Sequence, residues 1–378
     1  MDCKAHQKLN EKAAESSIVL LKNENNFLPL SKSTDQKIAV IGPNVLSKSA
    51  LWGNYNGYAS EYITAADGIR RIFTEADVRV EEGCKLVKER LNHGSGFYNM
   101  ISDGVAAAEE ADLTVLVLGL NCTVEGEDTG KDDEYSTSGD KNHLFLPETQ
   151  QKLADRVCDV CENVIVVLMC GSSIDVGEKV RNHAKAILHA WYPGARGGLA
   201  LARILAGEVS PCGKLPVTIY HGDHPLPDFT DYTMQGRTYR YIKGEALYPF
   251  GYGLSYTSFA YSNATLLQNA DKTVTVTALI TNTGRVTATE KAQLYVSIKD
   301  SRTTTPHHQL CGIKAVTLAP GENTEVTFTV DRYWLLAVGE NGEFLEPDGE
   351  ICFFVGGHQP DPVSDRLTGT TTERMKLQ

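Results

Sequence analysis

Residues 113–119 read LTVLVLG, and residues 163–169 read NVIVVLM. Both runs are apolar almost throughout, whereas a strand with one face in water alternates apolar and polar residues. Short unbroken apolar runs of this kind, bounded by turn signals, are typical of strands that are buried on both faces. The two runs therefore predict the centre of a parallel sheet that helices cover on both sides.

Elements of the same kind extend outward through the first 220 residues. The sequence predicts two further strands, KIAVIGP (37–43) and AILHAW (186–191), and helices at residues 64–73, 103–112, 147–161 and 199–207. Strands and helices in alternation are typical of α/β domains with a mostly parallel sheet. Such sheets bind ligands at the carboxyl ends of their strands, so the loops that follow the strands are the first candidates for a site.

The pattern changes near residue 210, where a stretch with four prolines marks a boundary. A segment rich in tyrosine and glycine follows, and beyond Phe259 the chain consists of short strand-like runs separated by turn signals. We therefore predict an α/β domain over residues 1–225, a linker over residues 226–256 and an all-β domain over residues 257–378.

The all-β region has the pattern of an antiparallel sandwich. Val326, Phe328 and Val330 alternate with threonines, which is the period of a strand with one buried face. Several short strands at regular spacing, with turns such as Pro320-Gly321 between them, are typical of two packed antiparallel sheets.

Composition excludes several classes of partner. The 378 residues include 36 Lys and Arg against 48 Asp and Glu, a formal net charge of −12. An acidic chain of this kind argues against nucleic acid and against an anionic membrane as the main partner. No apolar stretch approaches the roughly 18 residues of a spanning helix. Residues 1–17 are polar and helical in pattern, which is not typical of a signal peptide.

The nine cysteines are scattered without a framework spacing. They predict reduced thiols in a cytoplasmic protein. Cys158 and Cys161 form a C-x-x-C, but no second pair accompanies them. We therefore favour packing on a helix over a zinc or redox site at this pair.

An acidic loop follows the strand at residues 113–119. Six carboxylates fall within ten positions: Glu125, Glu127, Asp128, Asp132, Asp133 and Glu134. A partly buried carboxylate at a strand exit suits a general acid, because burial raises its pKa. A solvated acidic loop fits the same composition and, from the residues alone, is favoured. A calcium loop that starts at Glu125 fits poorly, because its twelfth position is Ser136 rather than a bidentate glutamate.

Three glycine-containing stretches suggest sites of other kinds. GSSID (171–175) lacks the G-x-S-x-G of a nucleophile elbow, so Ser172 or Ser173 is predicted to cap the next helix. GARGG (194–198) lacks the pattern of a phosphate loop and predicts a close packing turn. WGNYNGY (52–58) combines aromatic rings with amides, which suits sugar binding, although an ordinary turn fits equally well.

Eight segments, taken in order, resemble glycoside hydrolase family 3. They are AAESSIVLLKNENNFLPL, IAVIGPN, GNYNG, VEGED with LFLPETQ, WYPGARGGLALARILAGEVSPCGKLPVTIY, GRTYRY, LYPFGYGLSYTSF, and ITNTG with QLYVS. Together they cover essentially the whole chain. The resemblance implies an α/β sandwich with a mostly parallel sheet, followed by a fibronectin-III-like (immunoglobulin-like) β-sandwich.

The resemblance also implies a retaining β-glycosidase that hydrolyses terminal β-linked sugars. In this family an N-terminal barrel supplies an Asp nucleophile, and the α/β domain supplies the general acid/base. The acid/base matches Glu125, with Glu127 as the second choice. The GNYNG loop implies that Asn54 and Tyr55 contact the carbohydrate substrate, and it is more similar to the β-xylosidase branch than to the β-glucosidase branch. No metal or organic cofactor is implied.

The resemblance covers only the second and third domains of the family. We therefore expect the chain to be the C-terminal half of a β-glycosidase, with the barrel in a further domain or a partner subunit. The alternative is a non-catalytic carbohydrate-binding or scaffolding module that keeps the fold. The presence of Glu125 together with the GNYNG loop favours the enzyme.

Overall fold

The computed structural model describes residues 2–32, 36–88, 100–126, 135–137, 140–228 and 230–377. The chain forms two compact units, one of residues 1–213 with 220–224 and one of residues 214–219 with 225–378. We call the first the α/β unit and the second the β-sandwich unit. The domain boundaries predicted at residues 225 and 256 stay predictions.

The α/β unit contains the predicted strands and helices and four further strands, two of which lie at the edges of its main sheet. Its helices are α1 (Lys4–Ser17), α2 (Ala65–Ile72), α3 (Met100–Glu109), α4 (Glu148–Val160), α5 (Glu178–His183) and α6 (Gly197–Leu205). Its strands are β1 (Val19–Asn23), β2 (Lys37–Ile41), β3 (Asp77–Glu81), β4 (Leu113–Gly119), β5 (Ser136–Thr137), β6 (Asp140–Lys141), β7 (Val164–Met169) and β8 (Ala186–His189).

One six-stranded sheet has the order β1-β8-β7-β4-β2-β3. Strands β3, β2, β4, β7 and β8 are parallel, and β1 pairs with β8 in the antiparallel sense. Every residue of β4 and β7 is buried, which confirms the prediction of strands covered on both faces. The strand order reverses between β2 and β4, because β3 lies on one side of β2 and the later strands lie on the other.

Two groups of helices cover the sheet. Helix α6 contacts α1 and α2, and helix α4 contacts α3 and α5. Helix α2 begins with a capping box in which Thr64 and Asp67 each accept a hydrogen bond from the backbone N–H of the other. Arg203 of α6 forms ion pairs with Glu11 and Glu15 of α1, which fix the first helix to the unit.

Helices α2 and α6 approach each other at Gly68 and Gly198. A Cβ added at Gly198 would lie 1.9 Å from the carbonyl oxygen of Thr64, and one added at Gly68 would lie 1.9 Å from that of Gly198. Backbone therefore contacts backbone at this crossing. The close packing turn predicted at residues 194–198 is confirmed.

The β-sandwich unit consists of two main antiparallel sheets and a short β14–β15 pair. Its elements are α7 (Thr238–Tyr241), β9 (Phe259–Gln268), β10 (Val274–Asn282), β11 (Ala288–Lys299), β12 (Gln309–Leu318), β13 (Asn323–Val330), β14 (Ala337–Val338), β15 (Phe344–Leu345), β16 (Glu350–Gly356), α8 (Pro362–Thr368) and β17 (Glu373–Lys376). The sheets have the orders β13-β10-β9 and β12-β11-β16-β17.

The core of this unit lies between its two sheets. Strand β10 alternates buried and half-buried residues along its whole length. Val326, Phe328 and Val330 of β13 are buried in the same core, as their alternation predicts. Leu294 of β11 and Phe353 of β16 contribute from the other sheet, so the predicted β-sandwich is confirmed.

The cysteines are free thiols. Cys158 and Cys161 are buried at the end of α4, in agreement with a packing role, and burial raises the pKa of Cys158 to about 12. Within the described ranges, no three His, Cys, Asp or Glu side chains are grouped so that they could hold a metal. No helix in those ranges has the length and apolar character needed to cross a bilayer.

We predict that Gly198→Ala destabilises the α/β unit by more than about 2 kcal/mol, because the new methyl group would collide with backbone that cannot move aside. Thermal unfolding followed by circular dichroism measures the effect. The matched control is Gly57→Ala, whose Cβ would meet no atom within 4 Å. Equal unfolding temperatures for the two variants would contradict the helix crossing described above.

Candidate active site

The predicted site residues lie where the strand order of the sheet reverses. The loop that contains Asn54 follows β2, and the loop that contains Glu125 follows β4, so the two loops flank the reversal. In open α/β sheets this is the position at which ligands bind. The side-chain amide of Asn54 donates a hydrogen bond to the carbonyl oxygen of Glu125 at 3.3 Å, which places the two loops in contact.

A tight turn after β4 sets the position of Glu125. The backbone leaves the strand at Gly119 with φ of 122°, where a Cβ would lie 2.2 Å from the carbonyl oxygen of Met169. Two residues later, the carbonyl oxygen of Asn121 accepts hydrogen bonds from the N–H groups of Val124 and Glu125, each at 3.0 Å. Glu125 thus lies on a hydrogen-bonded turn rather than on a loose loop.

Gln150 holds this turn from α4. Its amide oxygen accepts from the N–H of Gly119 at 2.9 Å, and its amide nitrogen donates to the Gly119 carbonyl at 2.7 Å and to that of Leu86 at 2.6 Å. Gln150 is fully buried. One side chain therefore satisfies both backbone groups of the residue at which β4 ends.

The Glu125 carboxylate is half-buried and receives hydrogen bonds from the loops after the next two strands of the sheet, β7 and β8. The N–H of Gly171, which follows β7, donates to Oε2 at 2.7 Å. The Tyr192 hydroxyl, which follows β8, donates to the same oxygen, and the Ser172 hydroxyl donates to Oε1. The exits of three adjacent strands thus converge on one carboxylate.

The prediction that Ser172 or Ser173 caps the next helix is wrong. Helix α5 begins only at Glu178, with Gly177 at its N-cap. Ser172 contacts the Glu125 carboxylate instead, and the Ser173 hydroxyl accepts a hydrogen bond from the N–H of Tyr220 at 3.1 Å. The segment between β7 and α5 is therefore a site loop that precedes the helix.

The hydrogen-bond pattern distinguishes the two carboxylate oxygens. Each carboxylate oxygen has two acceptor positions. Oε2 uses both, on Gly171 and Tyr192, whereas the described residues contribute only the Ser172 hydroxyl to Oε1. Oε1 therefore keeps a second position, on which a proton can be held and released while the Ser172 hydroxyl still donates to the first.

The groups beneath the carboxylate are buried and keep their neutral forms. Burial, and after it the charge of Glu125, raises the pKa of Tyr192 far above its usual range, so the hydroxyl stays a donor. The same two causes raise the pKa of the fully buried Cys170. Burial lowers the pKa of His189 to about 4, and its Nε2 lies 3.2 Å from the carbonyl oxygen of Cys170. A neutral imidazole that donates from Nε2 fits this arrangement.

Lys141 is a cation close to this layer. Its ammonium donates to the carbonyl oxygen of Ser173. Burial lowers the pKa of Lys141, whereas the charge of Glu125 acts in the opposite direction. A half-buried ammonium therefore lies within electrostatic range of the Glu125 carboxylate.

The other predicted site residues divide into two groups. Asn54 lies beside Glu125, and Tyr55 is 88% exposed on the same loop; their contact with substrate stays a prediction. Glu127, the second choice for the acid, lies outside the described residues, as do Asp128 and Asp132. Sequence reasoning did not assign Gly171, Ser172 or Tyr192 to the site, although all of them follow strands of the predicted parallel sheet.

Comparison with known proteins identifies the class of fold. Residues 18–256 match the family model "Glycosyl hydrolase family 3 C-terminal domain", and residues 290–359 match a fibronectin type III-like domain. The chain therefore belongs to glycosyl hydrolase family 3, and the predicted family and fold are both confirmed.

Two curated relatives and one solved structure illustrate the similarity. The chain is 41% identical to "Beta-D-xylosidase 1" of Arabidopsis thaliana over 269 residues. The aligned region covers 69% of this chain and 32% of the relative. It is 33% identical to "Thermostable beta-glucosidase B" of Acetivibrio thermocellus over 91% of this chain and 46% of the relative. A crystal structure of a Bifidobacterium adolescentis GH3 beta-glucosidase matches with a TM-score of 0.83 and 29% identity, over 100% of this chain and 54% of that chain. The chain thus spans about a third to a half of these relatives.

We predict that the stability of the α/β unit falls on acidification because His189 is buried in its neutral form. The folded pKa is about 4, against about 6.5 in an unfolded chain. The unfolded state therefore binds the proton first. This contribution to stability is complete above about pH 6.5 and is lost as the pH falls toward 4, by about 3 kcal/mol in total.

Chemical denaturation between about pH 7 and pH 4 measures this loss. His189→Gln should flatten the pH dependence, and His6→Gln, at an exposed position of α1, should leave it unchanged. An equal slope in the wild type and in His189→Gln would show that His189 is not the group that titrates.

Proposed function

We propose that this chain is the C-terminal half of a retaining β-glycosidase and that Glu125 is its general acid/base. The observation that carries the proposal is the Glu125 carboxylate at the reversal of the strand order, oriented by Gly171, Ser172 and Tyr192. In an ordinary solvated loop, water would bond the carboxylate, whereas here the donors come from the loops after two other strands. The names of the curated relatives, a xylosidase and a glucosidase, agree with this chemistry.

In the first half-reaction, Glu125 donates a proton from Oε1 to the glycosidic oxygen as the bond to the anomeric carbon breaks. A second carboxylate attacks that carbon and forms the glycosyl-enzyme. In the second half-reaction, Oε1 removes a proton from water, which then hydrolyses the intermediate. The Ser172 hydroxyl donates to Oε1 in the acid and in the base form, and the second position of Oε1 carries the proton that faces the glycosidic oxygen.

Gly171 and Tyr192 have a different role, because both bond to Oε2. They fix the plane of the carboxylate while the proton moves on the other oxygen. Fixed donors limit the rotation that would carry Oε1 away from the leaving oxygen, and misplacement of a reacting group is costly to the rate. We therefore propose that they are positioning residues.

The nucleophile in this proposal comes from a barrel domain or partner subunit outside these residues. Retaining enzymes place their two carboxyl groups about 5–5.5 Å apart, so the barrel must approach the edge of the sheet at which β4, β7 and β8 end. The relatives' greater length supports this arrangement, since the chain spans 46% of the Acetivibrio glucosidase. The mechanism needs no metal or organic cofactor.

We further propose a preference for β-xylosides over β-glucosides. The GNYNG loop is of the type that the resemblance associates with β-xylosidases, and its Asn54 is in contact with the Glu125 loop. The 41% identity to an Arabidopsis protein named as a β-D-xylosidase supports the same preference. Asn54 and Tyr55 are the residues of this chain that would face the sugar.

The role of Glu125 can be tested in a fusion of this chain to the N-terminal part of the Arabidopsis relative. We expect the fusion to hydrolyse 4-nitrophenyl β-xyloside and Glu125→Gln to lower kcat/KM by about 10²- to 10⁴-fold. Azide should restore turnover in the variant and yield a β-xylosyl azide, because azide needs no general base. Glu148→Gln is the matched control, at an exposed carboxylate of α4 that pairs with Lys152.

Hydrolysis by the chain alone that persists in Glu125→Gln would overturn the proposal. Saturable binding of xylo-oligosaccharides without hydrolysis in the fusion, unaffected by Glu125→Gln, would instead support the carbohydrate-binding or scaffolding module.

The positioning of the proton by Ser172 gives a further prediction. In the same fusion, Ser172→Ala should lower kcat about tenfold for xylobiose, whose leaving group requires protonation. It should have little effect for 2,4-dinitrophenyl β-xyloside, whose leaving group departs without an acid. Ser173→Ala, at the adjacent serine that bonds Tyr220, is the control. An equal loss for both substrates would indicate a structural role for Ser172.

A further inference from the structure

The chain contains two Asn-Gly pairs, Asn56-Gly57 and Asn341-Gly342. Asparagine is among the thermolabile residues of proteins, because its side-chain amide can be attacked by the backbone nitrogen of the next residue. A following glycine favours this attack, since it has no Cβ to hinder the approach and its backbone is the most permissive. The two pairs are the same dipeptide, so a difference in their reactivity must come from the fold.

The reaction at such a pair is deamidation, and it needs only water. The glycine nitrogen loses its proton to solvent and bonds to Cγ of the asparagine, while the Cγ–Nδ2 bond breaks and the amide leaves as ammonia. Water then opens the resulting five-membered imide at Cγ, which gives aspartate, or at the backbone carbonyl carbon, which gives isoaspartate. The chain gains one water and loses one ammonia, no electrons are transferred, and a neutral amide becomes a carboxylate.

The fold leaves the Asn56-Gly57 pair open to this reaction. Both residues are exposed and lie in the loop between β2 and α2, outside any helix or strand. Among the described residues, none accepts a hydrogen bond from the Gly57 N–H. The Asn56 side chain lies beside its neighbour, because Nδ2 donates to the Gly57 carbonyl oxygen at 3.3 Å. The attacking nitrogen therefore gives up no backbone hydrogen bond, and the amide it attacks is close by.

The second pair is held by the hairpin turn between β14 and β15. The Gly342 N–H donates to the carbonyl oxygen of Gly339 at 3.0 Å, and the Asn341 N–H donates to the Glu343 carboxylate at 3.0 Å. Gly342 has φ of 82°, as the turn requires. Attack by the Gly342 nitrogen would break its hydrogen bond and distort the turn. This pair is equally exposed but is protected by its geometry.

A carboxylate at position 56 would meet other negative charges. Asn56 lines a hollow of about 350 Å³ whose walls also include Asp2 and Glu61. Arg196, in the same walls, already pairs with Glu61 and with Glu11. Deamidation therefore adds a third carboxylate beside an arginine that is already compensated. Like charges repel, so the modified loop is displaced from the hollow.

The isoaspartate product has a second effect, on the length of the backbone. Its chain runs through the former side chain and is one carbon longer at residue 56. Two residues earlier, the Asn54 amide donates to the Glu125 carbonyl oxygen, at 3.3 Å. A longer backbone this close to Asn54 shifts the residues that make the contact between the two loops.

We propose that Asn56 is a site of spontaneous deamidation, at which the folded protein converts to aspartate and isoaspartate forms with a displaced GNYNG loop. The modification does not depend on any activity of the chain. Its consequence for hydrolysis rests on the function proposed for Glu125.

Peptide mapping by mass spectrometry, on the full chain incubated at mildly alkaline pH, tests the proposal. In the folded chain, Asn56 should deamidate at least about fivefold faster than Asn341, the factor that one backbone hydrogen bond is worth. In urea, where neither the loop nor the hairpin persists, the two rates should be similar. A folded ratio no larger than the ratio in urea, or an unmodified Asn56 in the folded chain, would overturn the proposal.

Gly57→Ala supplies the matched variant. Its methyl group would meet no atom of the fold within 4 Å, yet it hinders the approach of its own nitrogen to Asn56. Deamidation of Asn56 should therefore fall below that of Asn341, whose own rate should not change. An unchanged rate at Asn56 would show that Gly57 is not the attacking residue.

The effect on the loop is measured in the fusion to the N-terminal part of the Arabidopsis relative. Samples aged until Asn56 has reacted should lose kcat/KM for 4-nitrophenyl β-xyloside relative to fresh enzyme, and the Gly57→Ala fusion should lose less over the same time. Full activity in a fully deamidated sample would contradict the displacement of the loop. Failure of the function proposed for Glu125 would appear separately, as inactivity of the fresh fusion.

Discussion

The candidate site depends on the way in which the backbone leaves β4. At Gly119 the chain passes so close to β7 that a side chain would collide with the Met169 carbonyl. Gln150 then bonds both backbone groups of Gly119 from α4. These contacts determine where residue 125 falls relative to the next two strand exits. Without them, the carboxylate and its donors would still be present in the chain but would not meet.

The donors that meet at Glu125 belong to different loops, and this makes the site rigid. Gly171 and Ser172 follow β7, and Tyr192 follows β8, so one backbone N–H and two hydroxyls from loops next to the sheet hold the carboxylate. The acid/base role proposed for Glu125 needs one oxygen that keeps its place and one that exchanges a proton, and the unequal sharing of donors between Oε2 and Oε1 fits both needs.

Sequence reasoning recovered the central strands because β4 and β7 are apolar along almost their whole length. Short apolar runs of this kind fit few structures other than a strand buried on both faces. It did not find β3, whose DVRVE alternates charged and apolar residues at the sheet edge, or β1, which follows α1 without a turn signal. Glu125 could be predicted from its place after β4 together with the family resemblance. Ser172 or Ser173 was predicted to cap a helix because a serine between a strand and a helix suits either a cap or a site loop. The start of α5 at Glu178 decides between the cap and the site loop.

The two edges of the six-stranded sheet bear on the behaviour of the protein in solution. An exposed strand edge offers unpaired N–H and C=O groups to any other extended chain. Here β3 carries Asp77, Arg79 and Glu81, and Arg79 pairs with Glu81 and with Glu110. At the other edge, the antiparallel β1 covers β8 and ends in Lys22 and Asn23. Charge at the β3 margin therefore opposes self-association by strand pairing. At the other margin, removal of residues 18–23 would expose the apolar edge of β8.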